Sequence, residues 1–381
     1  MFVLVKNANL YSPLSLGIND LLLCEDKIVY IDKNIELCGV PYRTIDAEGK
    51  IVTPGFIDQH VHIIGGGGQQ GFASLVPGVT MSELVACGTT TVVGMLGTDG
   101  FVKGLSELYA KVKALDEDGL TAFMLTSYYG LPSRTILGDV ADDLIFIDKV
   151  IGCKLAMSDD RSSFPTELEI LRLINKVRLG GFTSGKGGVV HIHLGSLPDG
   201  ISALLNIVKS YPSLIPYLSP THLIRTEHLF DQALEFARLG GMIDFSTGGT
   251  KFSEPHKCVV QAINAGVSIE QITFSSDGHG GVRAIDPVTG AITYRPAPLN
   301  LNLKEVVALI KEDGLPIDKA ISLITSNPAR NLKLKHKGVI NIGADADLCF
   351  LNEQFELTDV FSKGKQVMEN SKIIQKGRYE L

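Results

Sequence analysis

Between residues 54 and 335 the chain alternates short apolar runs with longer segments whose apolar positions recur every three or four residues. The runs "GFIDQHVH" (55–62), "TTVVGML" (90–96), "TAFMLTS" (121–127), "IGCKLAM" (151–157), "VVHIHL" (189–194), "YLSPTH" (217–222), "MIDFS" (242–246) and "ITFSSD" (272–277) have the length and composition of strands. Between them, "GLSELYAKVKALDEDG", "ELEILRLINKVRLGG", "DGISALLNIVKSY", "EHLFDQALEFARLGG" and "KCVVQAINAG" carry a helical period, and several end at glycine as helices often do. Eight alternations predict an α/β fold, a (β/α)8 TIM barrel spanning 54–335. A doubly wound sheet shares this alternation, so periodicity alone does not separate the two.

The ends have another texture. Residues 1–53 and 336–381 hold brief Val, Ile and Leu runs separated by turn residues, which predicts a small β-sandwich domain formed by both termini. With 45% hydrophobic and 20% charged residues the chain has material for a large core. A net charge of −7 without a Lys/Arg stripe argues against nucleic acid and for a small substrate. No apolar run reaches the roughly 18 residues of a membrane span, and the start has no signal-peptide pattern. The six cysteines are scattered, as in reduced cytosolic proteins, so a cytoplasmic location is expected.

Barrels place their chemistry at the C-terminal ends of the strands. His60 and His62 close the first predicted strand, His193 nearly closes the fifth, His222 closes the sixth and Asp277 closes the eighth, while Lys154 sits inside the fourth. Each has a plainer reading. A pair at i and i+2 shares one face and can form a polar layer, a lone lysine in an apolar run can be a surface residue, and an aspartate before glycine can serve a turn. Together, imidazoles and a carboxylate converging on one mouth suit divalent zinc and its neighbours, so the set points to a metal site. By spacing alone, His191 and His193 are equivalent as ligands.

In order along the chain, His60-Val61-His62, Lys154, His193, His222 and Asp277 resemble the amidohydrolase superfamily with a two-metal centre. "PGFIDQHVHIIGGGG", "YYGLPSRT", "VIGCKLAMSDDRS", "PTHLIRT", "FDQALEFARLGGMIDFS" and "SSDGHG" are further similar to isoaspartyl (β-aspartyl) dipeptidases. The resemblance implies two zinc ions per subunit: His60, His62 and Asp277 on one, His193 and His222 on the other, and N6-carboxylysine at Lys154 bridging both. It picks His193 over His191, and Tyr129 over Tyr128. It implies hydrolysis of β-aspartyl dipeptides by a metal-bridging hydroxide, with Asp277 as general base and acid and Tyr129 hydrogen-bonding the carbonyl oxygen. Burial of Lys154 lowers its pKa in the direction carbamate formation needs. Arg161 and Arg225 match arginines that grip substrate carboxylates, and Gly67, Gln69, Thr98 and Gly281 match other substrate-binding positions. His279 is a neighbour of the site. Related enzymes imply a homo-oligomer.

Two positions depart from that pattern. Gln69 stands where the family has a glutamate that meets the substrate's α-amino group, and Gly281 stands where it commonly has a serine. An amide keeps the hydrogen-bonding shape and loses the charge. The alternative reading is therefore a hydrolase of cyclic amides or N-acyl amino acids on the same metal centre. A catalytically inactive barrel is the third reading, though every ligand position here is filled. The Gly- and Pro-rich stretch 278–300 is expected as a long loop, either a lid on the site or a surface excursion.

Overall fold

Runs of Val, Ile and Thr buried on both faces form parallel strands at the centre of the molecule, as expected where helices cover both sides of a sheet. The structure, a computed structural model, describes residues 2–286 and 289–380. All eight predicted runs are strands: Phe56–Val61, Thr89–Gly94, Thr121–Thr126, Val150–Met157, Val189–Leu194, Leu218–Thr221, Ile243–Ser246 and Ile272–Ser275. The first six hydrogen-bond in chain order as one curled parallel sheet, and the last two pair as a second parallel ladder. Contacts join the ladders at both seams. Leu223 N–H donates to Asp244 O at 3.4 Å, and His62 N–H donates to Gly278 O at 2.9 Å beside a Val61–Gly278 bridge. This mixed α/β arrangement is consistent with a TIM barrel.

The five predicted helices are present as Leu105–Asp118, Glu167–Ser184, Ser202–Ser210, Glu227–Arg238 and Pro255–Asn264. Their starts are capped as their sequences allow. Thr166 and Glu169 form a reciprocal capping box, and the Thr226 hydroxyl accepts from Leu229 N–H. Each helix buries one apolar stripe. In Glu227–Arg238 it is Leu229, Phe230, Ala233, Leu234, Phe236 and Ala237, with Phe230 against Phe245 of the seventh strand at 5.8 Å between rings.

Both termini build one sheet, in the order 372–373, 365–369, 357–362, 348–351, 51–54, 2–11, 15–24, 27–32, with 42–46 also pairing 2–11. Among the described residues these nine strands form one hydrogen-bonded sheet. It branches at Phe2–Tyr11, which pairs three partners, and Val5, Leu10, Leu23, Val52, Phe350 and Phe361 share one core. Lys337 ties this sheet to the barrel: its ammonium donates to Thr121 Oγ1 at 2.7 Å and pairs with Asp347 at 2.5 Å and Asp345 at 2.8 Å.

The stretch 278–300 is not a plain loop. Gly281–Ile285 and Ile292–Pro296 pair as an antiparallel hairpin beside the barrel mouth, with Pro287 and Val288 outside the described residues.

Candidate metal centre and active-site cleft

The strand ends bring the predicted ligands to one place. His60 and His62 reach Asp277 Oδ1 through their Nε2 atoms at 3.3 and 3.4 Å, so three donors lie within 4.8 Å of one another. His222 and Asp277 leave their strands with φ of 62° and 54°, a left-handed conformation that costs a non-glycine residue about 1–3 kcal/mol and gathers at functional sites. The His222 ring stands 4.9 Å from that of His60 and 4.6 Å from that of His193. Lys154 is fully buried, with Nζ 3.5 Å from His60 Nε2.

Burial sets the electrostatics. It pulls the Lys154 ammonium down to about 7, against weaker opposing pulls from Asp277 and Asp244. It likewise lowers His60 and His222 well below the usual imidazole range, leaving neutral rings with lone pairs. For His62 burial also lowers, but the Asp277 and Asp99 carboxylates outweigh it and raise the ring to about 9. Burial raises Asp277, yet His62 and nearby cations prevail and hold it ionised below the ordinary carboxylate value.

His193 has both ring nitrogens engaged. Nε2 meets Asp159 Oδ2 at 2.9 Å and Nδ1 meets the Tyr129 hydroxyl at 2.7 Å. Arg161 clamps the same Asp159 through Nε at 2.7 Å and Nη2 at 2.5 Å. An aspartate on one nitrogen of a histidine leaves the other for a cation, so Tyr129 stands at the coordinating edge. Tyr128 instead packs under Arg134 at 4.5 Å and beside Phe101, as its packing role requires.

The donor set fits a metal centre. His222 Nε2, His62 Nδ1 and Asp99 Oδ2 are buried without a hydrogen-bond partner, and buried polar atoms are rarely left so. Zinc accepts imidazole and carboxylate donors of this kind.

The glycines explain how backbone crowds the site. A Cβ on Gly66 would meet the His62 ring at 3.0 Å, and one on Gly65 would meet Val76 O at 1.9 Å. Thr98, expected against substrate, donates its hydroxyl to Gly67 O at 3.1 Å and so holds this loop while lining the cleft. Gly281 comes so close that a Cβ there would sit 2.9 Å from Gly67 Cα. Gln69, Arg161, Arg225, Gly281 and Arg283 line the cleft that leads to His62, His193 and Asp277. The Arg225 Nε is buried and unpartnered. His279 turns away: its ring bonds Pro77 O at 2.9 Å and faces Glu83 at 3.4 Å.

Two residues of the site, Asp159 and Asp99, had no role assigned from sequence. Asp159 lies within the quoted "SDDRS" beside Arg161, which was its one visible signal. Asp99 Oδ1 accepts from Gly97 N–H at 2.8 Å and lies 3.7 Å from His62 Nδ1. His191, passed over as a ligand, is a satisfied interior histidine that bonds His60 and Ser219.

Residues 43–90 and 257–367 match the Amidohydrolase family. The solved β-aspartyl dipeptidase of the thermophilic keratin degrader Fervidobacterium islandicum AW-1, in complex with β-Asp-Leu, is 38% identical with a TM-score of 0.91, covering 98% of each chain. The chain belongs to the amidohydrolase superfamily, in its β-aspartyl dipeptidase family. As a member of that family it is a metal-dependent hydrolase. Dihydropyrimidinase from Brevibacillus agri NCHU1002 shares the fold at 15% identity, with a TM-score of 0.70 over 99% of this chain and 97% of that one. Among curated relatives, a deacetylase of Brucella anthropi is 25% identical over 91% of this chain and 83% of its own length. The adenine deaminase of Latilactobacillus sakei is 24% identical over 98% of this chain, which spans 58% of that longer protein.

Proposed function

We propose that this chain hydrolyses the amide between a β-linked aspartyl residue and its neighbour, with β-aspartyl dipeptides as the reference substrates. Lys154 carries the reading. A fully buried lysine that makes no ion pair with any described residue and lies 3.5 Å from the His60 imidazole is costly as an ammonium. As a carbamate it becomes an anionic ligand.

His60, His62 and Asp277 would hold one zinc, His193 and His222 the other, with carboxylated Lys154 between them. When bound, the cations would make a water acidic near neutral pH and polarise the scissile carbonyl. Asp277 takes the water's proton and delivers it to the leaving nitrogen. Tyr129, kept protonated by burial, donates its hydroxyl to the carbonyl oxygen as negative charge grows there. Arg225 and Arg161 take substrate carboxylates, a task that suits a planar guanidinium. Gln69, Gly67, Thr98 and Gly281 form the facing wall. A closed eight-strand barrel, a terminal sheet folded as a sandwich, a homo-oligomeric state and a cytoplasmic location complete the reading.

The test is kcat/KM for β-Asp-Leu, α-Asp-Leu and a cyclic amide on zinc-loaded enzyme. Turnover of β-Asp-Leu with little of the other two is expected. Turnover of the cyclic amide alone would replace this reading with the alternative.

A further inference from the structure

Among the described residues lining the cleft, both inner carboxylates are already engaged, which leaves none inside it to pair with an ammonium. Asp277 faces His60 and His62, and Asp159 is taken by Arg161 and His193. Asp160 stands on the rim with its side chain 87% exposed, 3.9 Å from Arg161. Cations are in surplus. Arg225 and Arg283 line the cleft and pair with no described acid. On the hairpin, Gly281 pairs with Pro296 and Arg283 with Tyr294, so these four share one face of the ribbon, and all four line the cleft.

Gln69 lies where the inner and outer parts of this cleft meet, and its side chain makes no hydrogen bond to a described residue. An ammonium offers donors only, so it can use the amide oxygen of Gln69 and nothing more. A secondary amide offers one N–H and one carbonyl, which match the oxygen and the NH2 of Gln69 together. Past Gln69 the cleft, about 560 Å³, runs outward by Gln70, Ser196, Leu197 and Tyr294 and leaves room for further chain.

We infer that the preferred substrate is a β-aspartyl amide whose aspartyl nitrogen is itself acylated, as in an N-acyl-β-aspartyl peptide. This rests on the reading above that a β-aspartyl amide is cut. Water adds to the β-carbonyl, and the C–N bond breaks. The β-carboxylate of an N-acyl-aspartate forms, and the nitrogen keeps the bonding pair, takes a proton and leaves as the free amine of the next residue. Gln69 holds the acyl amide, and the arginines hold the two carboxylates that remain.

The experiment compares N-acetyl-β-Asp-Leu with β-Asp-Leu on the zinc-loaded full chain and on its Gln69→Glu variant. The wild type is expected to favour the acetylated compound by about tenfold in kcat/KM, the scale of one unpaired buried polar group. Gln69→Glu is expected to invert the preference. Equal or faster hydrolysis of β-Asp-Leu by the wild type overturns the inference, as does a preference that Gln69→Glu does not move. Turnover of neither compound overturns the β-aspartyl reading itself, and this inference with it.

Discussion

His191 Nε2 lies 2.9 Å from His60 Nδ1, so the histidine two residues before one candidate ligand orients another. With His60 Nε2 facing the cation site, its Nδ1 carries the proton and donates to His191. His191 Nδ1 then donates to Ser219 Oγ at 2.9 Å. Asn331 donates to Ser219 and to Gln59 Oε1, both at 2.8 Å, and Gln59 donates to Asp244 Oδ1 at 2.7 Å. This buried chain fixes one tautomer of His60, as partners beyond the ligands of metal sites commonly do.

His191→Phe therefore lowers zinc affinity by about 10–100-fold, the usual scale for such a partner. His191→Gln retains an acceptor and recovers part of the loss. Chelator competition on the folded variants measures both, and unchanged affinity in His191→Phe would show a packing role alone.

Lys154 sets a pH dependence. Only the neutral amine reacts with carbon dioxide, and burial brings the amine to about 7, so the reactive fraction grows as pH rises through that value. Reconstitution of metal-free protein with zinc and bicarbonate should be slow at about pH 6 and fast at about pH 8. A rate flat across this range would contradict the assignment.

Gly281 is a packing requirement. A Cβ there would press on Gly67 backbone, which cannot yield as a flexible side chain does. Gly281→Ala should displace the hairpin, raise KM severalfold and change kcat little. Steady-state kinetics reads the split.

Lys337 joins the barrel to the terminal sheet. Lys337→Met leaves Asp347 without a cation and Asp345 with Lys27 alone, and breaking a buried pair of this kind costs about 3–5 kcal/mol. Burial raises Asp345, but Lys337 and Lys27 outweigh it and hold its pKa below the ordinary 3.8. Its stabilisation is thus present above that value and lost as pH falls through the lower folded value. Thermal midpoints of wild type and variant should differ clearly at neutral pH and converge in acid.

Much of this was legible in the sequence because strand composition and strand-end position are local. The eight runs and the five helices come from such signals, as do His60, His62, His222 and Asp277 at strand ends, whereas the choice of His193 over His191 rests on the family resemblance. His191 and His60 are 131 positions apart, so their contact depends on the barrel's curvature and has no local trace. Asp99 likewise carries no local signal, since only the fold sets it against His62. The branching of the terminal sheet had no sequence signal because it is a matter of register along Phe2–Tyr11. In 278–300, Gly and Pro density masked the alternation of "GVRAI" and "ITYRP".

Zinc titration of the metal-free protein in bicarbonate, followed by β-Asp-Leu hydrolysis, tests the two-metal β-aspartyl hydrolase most directly. Activity should rise to a plateau at two zinc ions per chain and be absent in Lys154→Met. A plateau at one zinc, activity without metal, or no hydrolysis at any zinc concentration would contradict it.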